Sequence, residues 1–116
     1  MFRKLFGGGG AVKAAVDVTE AQRRLVGREA LLIDVREPDE WAAGHVAGAT
    51  HIPLGDLEAR LAEVPRDRPV LLFCRSGNRS GKATAFLRQQ GYAQVANVEG
   101  GIIAWQGAGL PVTRDK

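Results

Sequence analysis

The sequence predicts an α/β fold in which one mainly parallel sheet of five strands carries helices on both faces. Short apolar runs alternate along the chain with segments of helical periodicity. The apolar runs lack regularly alternating polar residues, as expected for strands that are covered on both faces. Strands that are joined through helices pair in parallel, and ligands of such sheets bind beyond the carboxyl ends of the strands.

The composition is typical of one soluble globular domain. The chain has 116 residues, of which 45% are hydrophobic and 25% charged, so it can bury about two-thirds of its unfolded surface. The net charge of +3 is modest, and basic residues are interleaved with acidic ones, which argues against binding to nucleic acid. One cysteine excludes an internal disulfide, and one cysteine with two histidines excludes the usual zinc arrangements. We therefore expect neither a metal nor another cofactor.

We expect residues 1–15 to form a flexible tail, residues 16–113 to form the domain, and residues 114–116 to form a second tail. Four glycines follow the basic residues of the amino terminus, so the continuous apolar stretch of a secretory signal is missing. The alternative is a short foot that binds a membrane surface or a partner through its aromatic and leucine side chains. No later segment is apolar for long enough to span a bilayer, and we expect a cytoplasmic location.

The first elements are predicted from short apolar runs and a capping pattern. Residues 16–18 form an edge-like strand. Thr19 then caps a helix, with Gln22 at the capping-box position and Gly27 at the carboxyl end. Residues 30–35 form the second strand, which is apolar until its fifth residue.

The middle of the chain contains two predicted helices on either side of a third strand. Pro38 suits the first turn of a short helix that extends to Trp41 and closes at Gly44. Residues 49–52 form the third strand, which stops at a proline. The spacing of apolar residues predicts an amphipathic helix over residues 54–64 with its charged side chains facing outward.

The last elements surround the single cysteine. Residues 70–73 are an apolar run behind a proline and predict a buried strand. The segment that begins at Ser80 has helical spacing and ends at Gly91. Residues 95–98 form the fifth strand, and two glycines then lead into a short helix around Trp105.

Cys74 lies where a buried strand gives way to a loop that opens a helix. Backbone N–H groups of such a loop can point towards the sulfur, and the start of the helix adds partial positive charge. Arg75, Arg79 and Lys82 add full charges. All of these groups favour the thiolate, which is the reactive form of cysteine. The stretch therefore predicts a nucleophile, and the alternative is a small buried hydrophobic residue at the end of a strand.

Asp34 and Arg36 follow the second strand, at the same edge of the predicted sheet as Cys74. They are either part of a ligand site or an ordinary ion pair that holds the loops in place. Both roles can hold at once, because a pair beside the site also supports the loop.

Four short stretches match one pattern when they are taken in order. They are residues 32–36 (LIDVR), 44–53 (GHVAGATHIP), 74–80 (CRSGNRS) and 100–105 (GGIIAW). They look like the Asp-x-Arg segment, the Gly-His-x-x-Gly-Ala-x-x-Ile-Pro segment, the active-site loop and the Gly-Gly-x-x-x-Trp segment of the rhodanese family. Over roughly residues 17–112 the chain resembles a single-domain rhodanese-like sulfurtransferase, which implies a rhodanese-like α/β domain.

The resemblance implies that Cys74 takes a sulfane sulfur from thiosulfate or a persulfide and holds it as a persulfide. The sulfur then passes to a nucleophilic acceptor such as cyanide or a thiol, including a thiol of a protein. The same resemblance implies that the donor and its terminal sulfur are held by five residues of the loop: Arg75, Ser76, Gly77, Asn78 and Arg79. Arg79 is expected first to support the loop, packed against it or against neighbouring carboxylates. Since the chain has no second thiol, turnover through a disulfide would need an outside thiol.

Two positions depart from the two-domain rhodaneses. Glu40 lies near the position of an arginine that helps those proteins to bind thiosulfate, and Ser76 replaces a lysine. The loss of two positive charges argues against efficient use of thiosulfate and leaves a protein or small-molecule persulfide open as the donor.

Four aromatic side chains are interpreted as structural. His45 could act as a base beside a cysteine, but the family segment that it matches lies away from the nucleophile and serves the fold. Trp41 and Trp105 are assigned to the core or to the wall of the site, and His51 is interpreted as structural.

Two other classes of function remain open. Some cysteine-dependent phosphatases and arsenate reductases share this fold and a cysteine loop. Phosphate monoesterases with such loops have a longer spacing than the four residues between Cys74 and Arg79, and the shorter ring suits one sulfur atom better than a phosphate. The second class is a non-catalytic module that carries sulfur or binds a regulatory partner.

Overall fold

The computed structural model describes residues 14–115, in which strands and helices alternate along the chain. The strands are β1 (Ala15–Val16), β2 (Leu31–Asp34), β3 (Thr50–His51), β4 (Val70–Phe73) and β5 (Val95–Val98). The helices are α1 (Val18–Val26), α2 (Pro38–Ala43), α3 (Asn78–Gln89) and α4 (Gly101–Gly107), with 3-10 turns at Leu54–Asp56 and Leu61–Glu63. No helix in this part of the chain combines the length and the apolar character that a bilayer crossing needs.

The first strand begins within the segment that the sequence predicts as a tail. β1 begins at Ala15, one residue inside the segment predicted as a tail, and pairs with β5. Residues 1–13 of the predicted tail lie outside the described residues, and so does the proposed membrane or partner foot among them.

The five strands lie in the order β1-β5-β4-β2-β3, and every neighbouring pair is parallel. The prediction of one parallel five-stranded sheet is confirmed. In the central part of the sheet, Asp34 lies opposite Phe73, and Leu72 lies opposite Asn97. Because the strands run in the same direction, the residues that follow β2, β4 and β5 meet at one edge of the sheet. Cys74 is one of these residues.

The sheet separates two hydrophobic clusters, and β4 contributes to both of them. Leu71 and Phe73 pack with α1 and α4, where Phe73 contacts Trp105 edge to face at a centroid distance of 6.1 Å. Val70 and Leu72 pack on the other side with α3 and the segment that carries the 3-10 turns. All four residues of β4 are buried, which confirms the predicted buried strand in front of Cys74 and the placement of helices on both faces.

The predicted start of α1 is wrong by two residues. Asp17, and not Thr19, is the N-cap, and its carboxylate accepts a hydrogen bond from the N–H of Glu20 at 2.8 Å. Aspartate is as good a cap as threonine or better, and this start brings Val18 into the core cluster. The predicted end at Gly27 is confirmed.

The predicted helix over residues 54–64 is also wrong, because only its two ends form short 3-10 turns. The first N–H of the segment donates to the carbonyl of Val35, which ties it to the end of β2. At the other end, the hydroxyl of Tyr92 donates to the carbonyl of Val64 at 2.8 Å, and the carbonyl oxygen of Leu61 lies 3.2 Å from the same hydroxyl. The apolar spacing correctly predicts a buried face, but most backbone hydrogen bonds within the segment join residues three apart, as in 3-10 turns, and Gly55 lowers its helix propensity.

Candidate active site

A three-residue loop leads from Cys74 into α3. The helix begins at Asn78, two residues earlier than predicted, with Gly77 as its N-cap. Gly77 has φ +101, which a residue without a Cβ adopts at little cost. A Cβ added at Gly77 would also lie 3.2 Å from the backbone nitrogen of Gly100. The loop can therefore fold tightly against the turn between β5 and α4.

The sulfur of Cys74 accepts hydrogen bonds from this loop and from the first turn of α3. The N–H of Gly77 donates to Sγ at 3.1 Å, and the hydroxyl of Ser80 lies 3.2 Å from Sγ. Burial of Cys74, which is 1% exposed, raises the pKa of its thiol. The Ser80 hydroxyl and the backbone N–H groups of Ser80, Gly77 and Ser76 outweigh burial, so the pKa lies below its usual value. The arrangement can hold a thiolate, which is a nucleophile.

The start of α4 orients the peptide groups of the loop. The N–H groups of Ile102 and Ile103 donate to the carbonyls of Cys74 and Arg75 at 2.9 and 3.1 Å. The C=O and N–H of a trans peptide point in opposite directions. When the carbonyl of Arg75 is fixed on α4, the next N–H, that of Ser76, turns towards the inside of the loop.

Gly101 allows this close approach of α4 to the loop. Its φ is +52, in the left-handed region. A Cβ at this position would collide with the carbonyl oxygen of Cys74 and would lie 2.6 Å from that of Arg75. The second glycine of the pair at the start of α4 is therefore required by the packing of the loop.

Asp34 and Arg36 form a buried ion pair at the end of β2, 0% and 4% exposed. The guanidinium donates to the Asp34 carboxylate from Nε and Nη2, at 2.8 to 3.0 Å. It also donates to the carbonyls of Glu40 and Gly44, at 3.2 and 2.8 Å. These contacts hold the first turn and the C-cap of α2 against the end of β2. All hydrogen bonds of the two side chains lie within residues 34–44, so the pair supports the structure next to the loop.

Glu40 and Arg79 connect α2 to the start of α3. The two nitrogens Nη1 and Nη2 of Arg79 donate to the two carboxylate oxygens of Glu40 at 2.7 and 2.8 Å. Arg79 holds the pKa of Glu40 down at about 2, and Glu40 raises the pKa of Arg79. Both side chains are only partly exposed. Glu40, which departs from the two-domain pattern, therefore neutralises Arg79 in the first turn of α3.

Residues 17–108 match the family model of the rhodanese-like domain. The chain belongs to this family. It is 45% identical over 98 residues to a protein of Allochromatium vinosum named sulfurtransferase, and the match covers 84% of this chain and 92% of that protein.

Solved rhodanese-related structures have the same fold. A rhodanese-related protein of Thermoplasma volcanium superposes with a TM-score of 0.81 at 32% identity, over 87% of this chain and 98% of that one. A rhodanese-like domain protein of Staphylococcus aureus superposes with a TM-score of 0.74 at 28% identity, over 78% of this chain and 89% of that one. The fold prediction of a single rhodanese-like α/β domain is confirmed.

The loop of this rhodanese-like domain presents its predicted binding residues in different ways. The side chains of Arg75, Ser76 and Asn78 are exposed, and Gly77 is partly buried. Arg79 is turned to Glu40. Among residues 14–115, no three side chains of histidine, cysteine, aspartate or glutamate lie together as ligands for a metal ion.

Both histidines lie in a stack with Trp41. The rings of His45 and His51 are nearly parallel to the indole, at centroid distances of 3.6 and 4.7 Å. Nδ1 of His45 donates to the carbonyl of Trp41 at 2.8 Å, and Nε2 of His51 donates to the carbonyl of Arg36 at 2.7 Å. Neither imidazole hydrogen-bonds to Cys74 in the described part of the chain. Trp105 is in the core, with Nε1 donating to the carbonyl of Pro111.

Two residues near the sulfur are not among the predicted site residues. Ser80 closes the predicted loop, and its hydroxyl and its N–H both favour the thiolate. Asn97 lies in a predicted strand, and its Nδ2 donates to the carbonyl of Gly77 at 3.1 Å while its Oδ1 accepts from the Ser80 hydroxyl at 2.6 Å. One signal was available, because asparagine is the polar residue in an otherwise apolar strand (VANV).

Proposed function

We propose that this rhodanese-like domain is a sulfurtransferase that carries a sulfane sulfur on Cys74 as a persulfide. The observation that supports this most strongly is the set of hydrogen-bond donors that converge on Sγ and lower the pKa of the thiol. The family match and the relative named sulfurtransferase support the same type of reaction.

In the first half of the reaction, the thiolate of Cys74 attacks the outer sulfur of the donor. With thiosulfate, a new S–S bond forms to Cys74 while the bond to the sulfite group breaks, and sulfite leaves with the electron pair. In the second half, a cyanide ion or a thiolate attacks the outer sulfur of the persulfide. Thiocyanate or a new persulfide leaves, and Cys74 returns to the thiolate. In each half, the attacking group supplies the electron pair of the new bond and the leaving group takes the pair of the broken bond. No outside oxidant or reductant is therefore needed.

The loop suits a single additional sulfur atom. In the persulfide the negative charge lies on the outer sulfur, and the N–H groups of Ser76, Gly77 and Ser80 lie close enough to Cys74 to stabilise an anion there. Preorganised donors of this kind act without rearrangement when the charge moves. We assign Cys74 the role of nucleophile, the loop backbone the binding of the transferred sulfur, and Asp34 and Arg36 a supporting role.

The charges at the loop favour a donor with little negative charge. Arg79 is neutralised by Glu40, whereas Arg75 is exposed and can attract an anion only weakly through water. We therefore infer that a protein or small-molecule persulfide is a better donor than thiosulfate. A thiol, including one on a protein, is the corresponding acceptor.

The test is whole-protein mass spectrometry after incubation with thiosulfate or with a small-molecule persulfide. We expect a gain of one sulfur atom, which cyanide then removes as thiocyanate. Because Cys74 is the only thiol, the Cys74→Ala variant should gain no sulfur and form no thiocyanate, with a thermal melt to show that it is folded. Sulfur that does not add to Cys74, or thiocyanate formation by Cys74→Ala, would contradict the proposal.

A further inference from the structure

The hydroxyl group of Ser80 lies between two acceptors, although it carries a single proton. Its oxygen is 3.2 Å from Sγ of Cys74 and 2.6 Å from Oδ1 of Asn97. Ser80 is completely buried (0% exposed), so water does not readily replace either partner. The hydroxyl can therefore donate to only one of the two acceptors at a time.

The amide of Asn97 is oriented by a second contact. Its Nδ2 donates to the carbonyl oxygen of Gly77 at 3.1 Å. A carbonyl oxygen can only accept, so the amide nitrogen must face Gly77 and the amide oxygen must face Ser80. The backbone of Asn97 is held in β5, opposite Leu72 of the central strand. Asn97 is thus a fixed acceptor for the Ser80 hydroxyl.

We propose that Asn97 is a positioning residue that competes with Cys74 for the proton of the Ser80 hydroxyl. The charge on Sγ then decides which of the two residues accepts this hydrogen bond. When Cys74 is a thiol or the inner sulfur of a persulfide, Sγ is uncharged and the hydroxyl donates to Asn97. When Cys74 is a thiolate, the hydroxyl turns to the sulfur, because a hydrogen bond to an anion is stronger than one to a neutral acceptor.

This inference rests on the proposed function, in which Sγ alternates between the two states. Sγ is the leaving group when an acceptor takes the outer sulfur, and the turn of the hydroxyl stabilises the thiolate as it forms. By accepting the hydroxyl in the loaded state, Asn97 makes the persulfide more persistent. Removal of Asn97 should therefore favour the thiolate.

Several charged groups also lie in the loop and in the elements next to it. They are Arg75 in the loop, Arg79 and Lys82 on α3, Glu40 on α2 and the Asp34–Arg36 pair at the end of β2. Within residues 14–115, none of their side chains hydrogen-bonds to the Asn97 amide or to the Ser80 hydroxyl. A substitution at Asn97 leaves these charges and their partners in place.

The test is the rate at which iodoacetamide alkylates the single thiol as a function of pH. We expect Asn97→Ala to lower the midpoint by about 0.5–1 pH unit, because the hydroxyl then has only the sulfur as its acceptor. Asn97→Asp keeps an oxygen acceptor for Ser80 and adds a negative charge, so the midpoint should rise. In a Ser80→Ala background, Asn97→Ala should move the midpoint much less.

Three results would overturn the proposal. They are an unchanged or raised midpoint in Asn97→Ala, a lowered midpoint in Asn97→Asp, and an undiminished shift in the Ser80→Ala background. Each would mean that Asn97 affects the thiol through its hydrogen bond to Gly77 or through its place in β5. If Asn97→Ala does not fold, Asn97→Val takes its place, because a β-branched side chain suits a strand. Alkylation needs no sulfur donor, so a protein that shows the expected shifts but takes up no sulfur contradicts the proposed function alone.

Discussion

The Cys74 loop is held from two sides by different kinds of contact. On the side of α4, backbone N–H groups donate to the carbonyls of Cys74 and Arg75, and these carbonyls leave no room for a side chain at position 101. On the side of α2, the contact is a side-chain pair between Glu40 and Arg79, which is partly exposed. The backbone contacts on the α4 side set the geometry of the loop. The Glu40–Arg79 pair on the α2 side sets the net charge beside the loop. Charge at this site can therefore change without loss of the loop.

The largest expected effect comes from breaking the α4 side with Gly101→Ala. The new Cβ would meet the carbonyls of Cys74 and Arg75, and the residue would keep an unfavourable positive φ. We expect a loss of about 3 kcal/mol in the free energy of unfolding and a fall in Tm of about 12 °C or more. Sulfur uptake should fall with every donor, because the N–H of Ser76 is no longer held towards the sulfur. Thermal melts and mass spectrometry of sulfur uptake measure the two effects.

Gly107→Ala is the matched control on the same helix. A Cβ there has open space and the backbone is not left-handed, so stability should stay the same or rise slightly. If Gly101→Ala were as harmless as Gly107→Ala, the backbone contacts of α4 would not set the geometry of the loop.

Much of the α4 side was predictable from sequence. The alternation of apolar runs and helical segments predicted the parallel sheet, and β4 and β5 were predicted with their observed bounds. These elements follow from local pattern, since a strand that is buried on both faces must be apolar throughout. The glycine pair at 100 and 101 was recognised as part of a pattern, but only the structure shows the carbonyls that exclude a Cβ.

The polar contacts around the sulfur were less predictable because their partners are distant in sequence. Glu40 and Arg79 are 39 residues apart, and Ser80 and Asn97 are 17 apart. The cations near Cys74 suggested activation by charge, whereas the pKa of the thiol is lowered by the Ser80 hydroxyl and by backbone N–H groups. The helix predicted over residues 54–64 failed for a local reason, because most of the backbone hydrogen bonds there join residues three apart and Gly55 lowers the helix propensity.

A smaller effect is expected from breaking the α2 side with Glu40→Gln. Arg79 lowers the pKa of Glu40 from 4.5 to about 2, so the pair stabilises the folded state above about pH 4.5 and loses this effect as the pH falls towards 2. The pair is partly exposed, and we expect the variant to lose about 1 kcal/mol at pH 7. The difference from the parent should shrink between pH 4.5 and 2. Denaturant unfolding at several pH values measures it.

Glu40→Gln should at the same time improve the use of thiosulfate, because the charge of Arg79 is no longer neutralised. We expect KM for thiosulfate to fall by about 2- to 5-fold at low salt, with little change for an uncharged persulfide donor. Asp39→Asn is the matched control, since it removes an exposed acid from the same helix. An equal fall of KM in Asp39→Asn would show that net charge, and not the pair with Arg79, governs the donor.

The smallest effect is expected for Arg75→Ala, which removes a charge and no support. Arg75 is exposed and holds the loop through its backbone carbonyl, which alanine retains, so Tm should barely change. An anionic donor near an exposed cation gains about 1 kcal/mol or less in water, so KM for thiosulfate should rise by about 2- to 5-fold at low salt. The rise should nearly vanish at about 1 M salt, where the screening length is about 3 Å.

Arg75→Lys is the matched control for charge and should restore most of the binding of thiosulfate. Arg79→Ala should differ from Arg75→Ala, because it leaves the carboxylate of Glu40 without its partner and so lowers Tm as well. Thermal melts beside steady-state kinetics with thiosulfate and with an uncharged persulfide separate the two residues. If Arg75→Ala slowed both donors equally at all salt concentrations, Arg75 would act on the geometry of the loop, and the division between a geometric side and a charged side would be wrong.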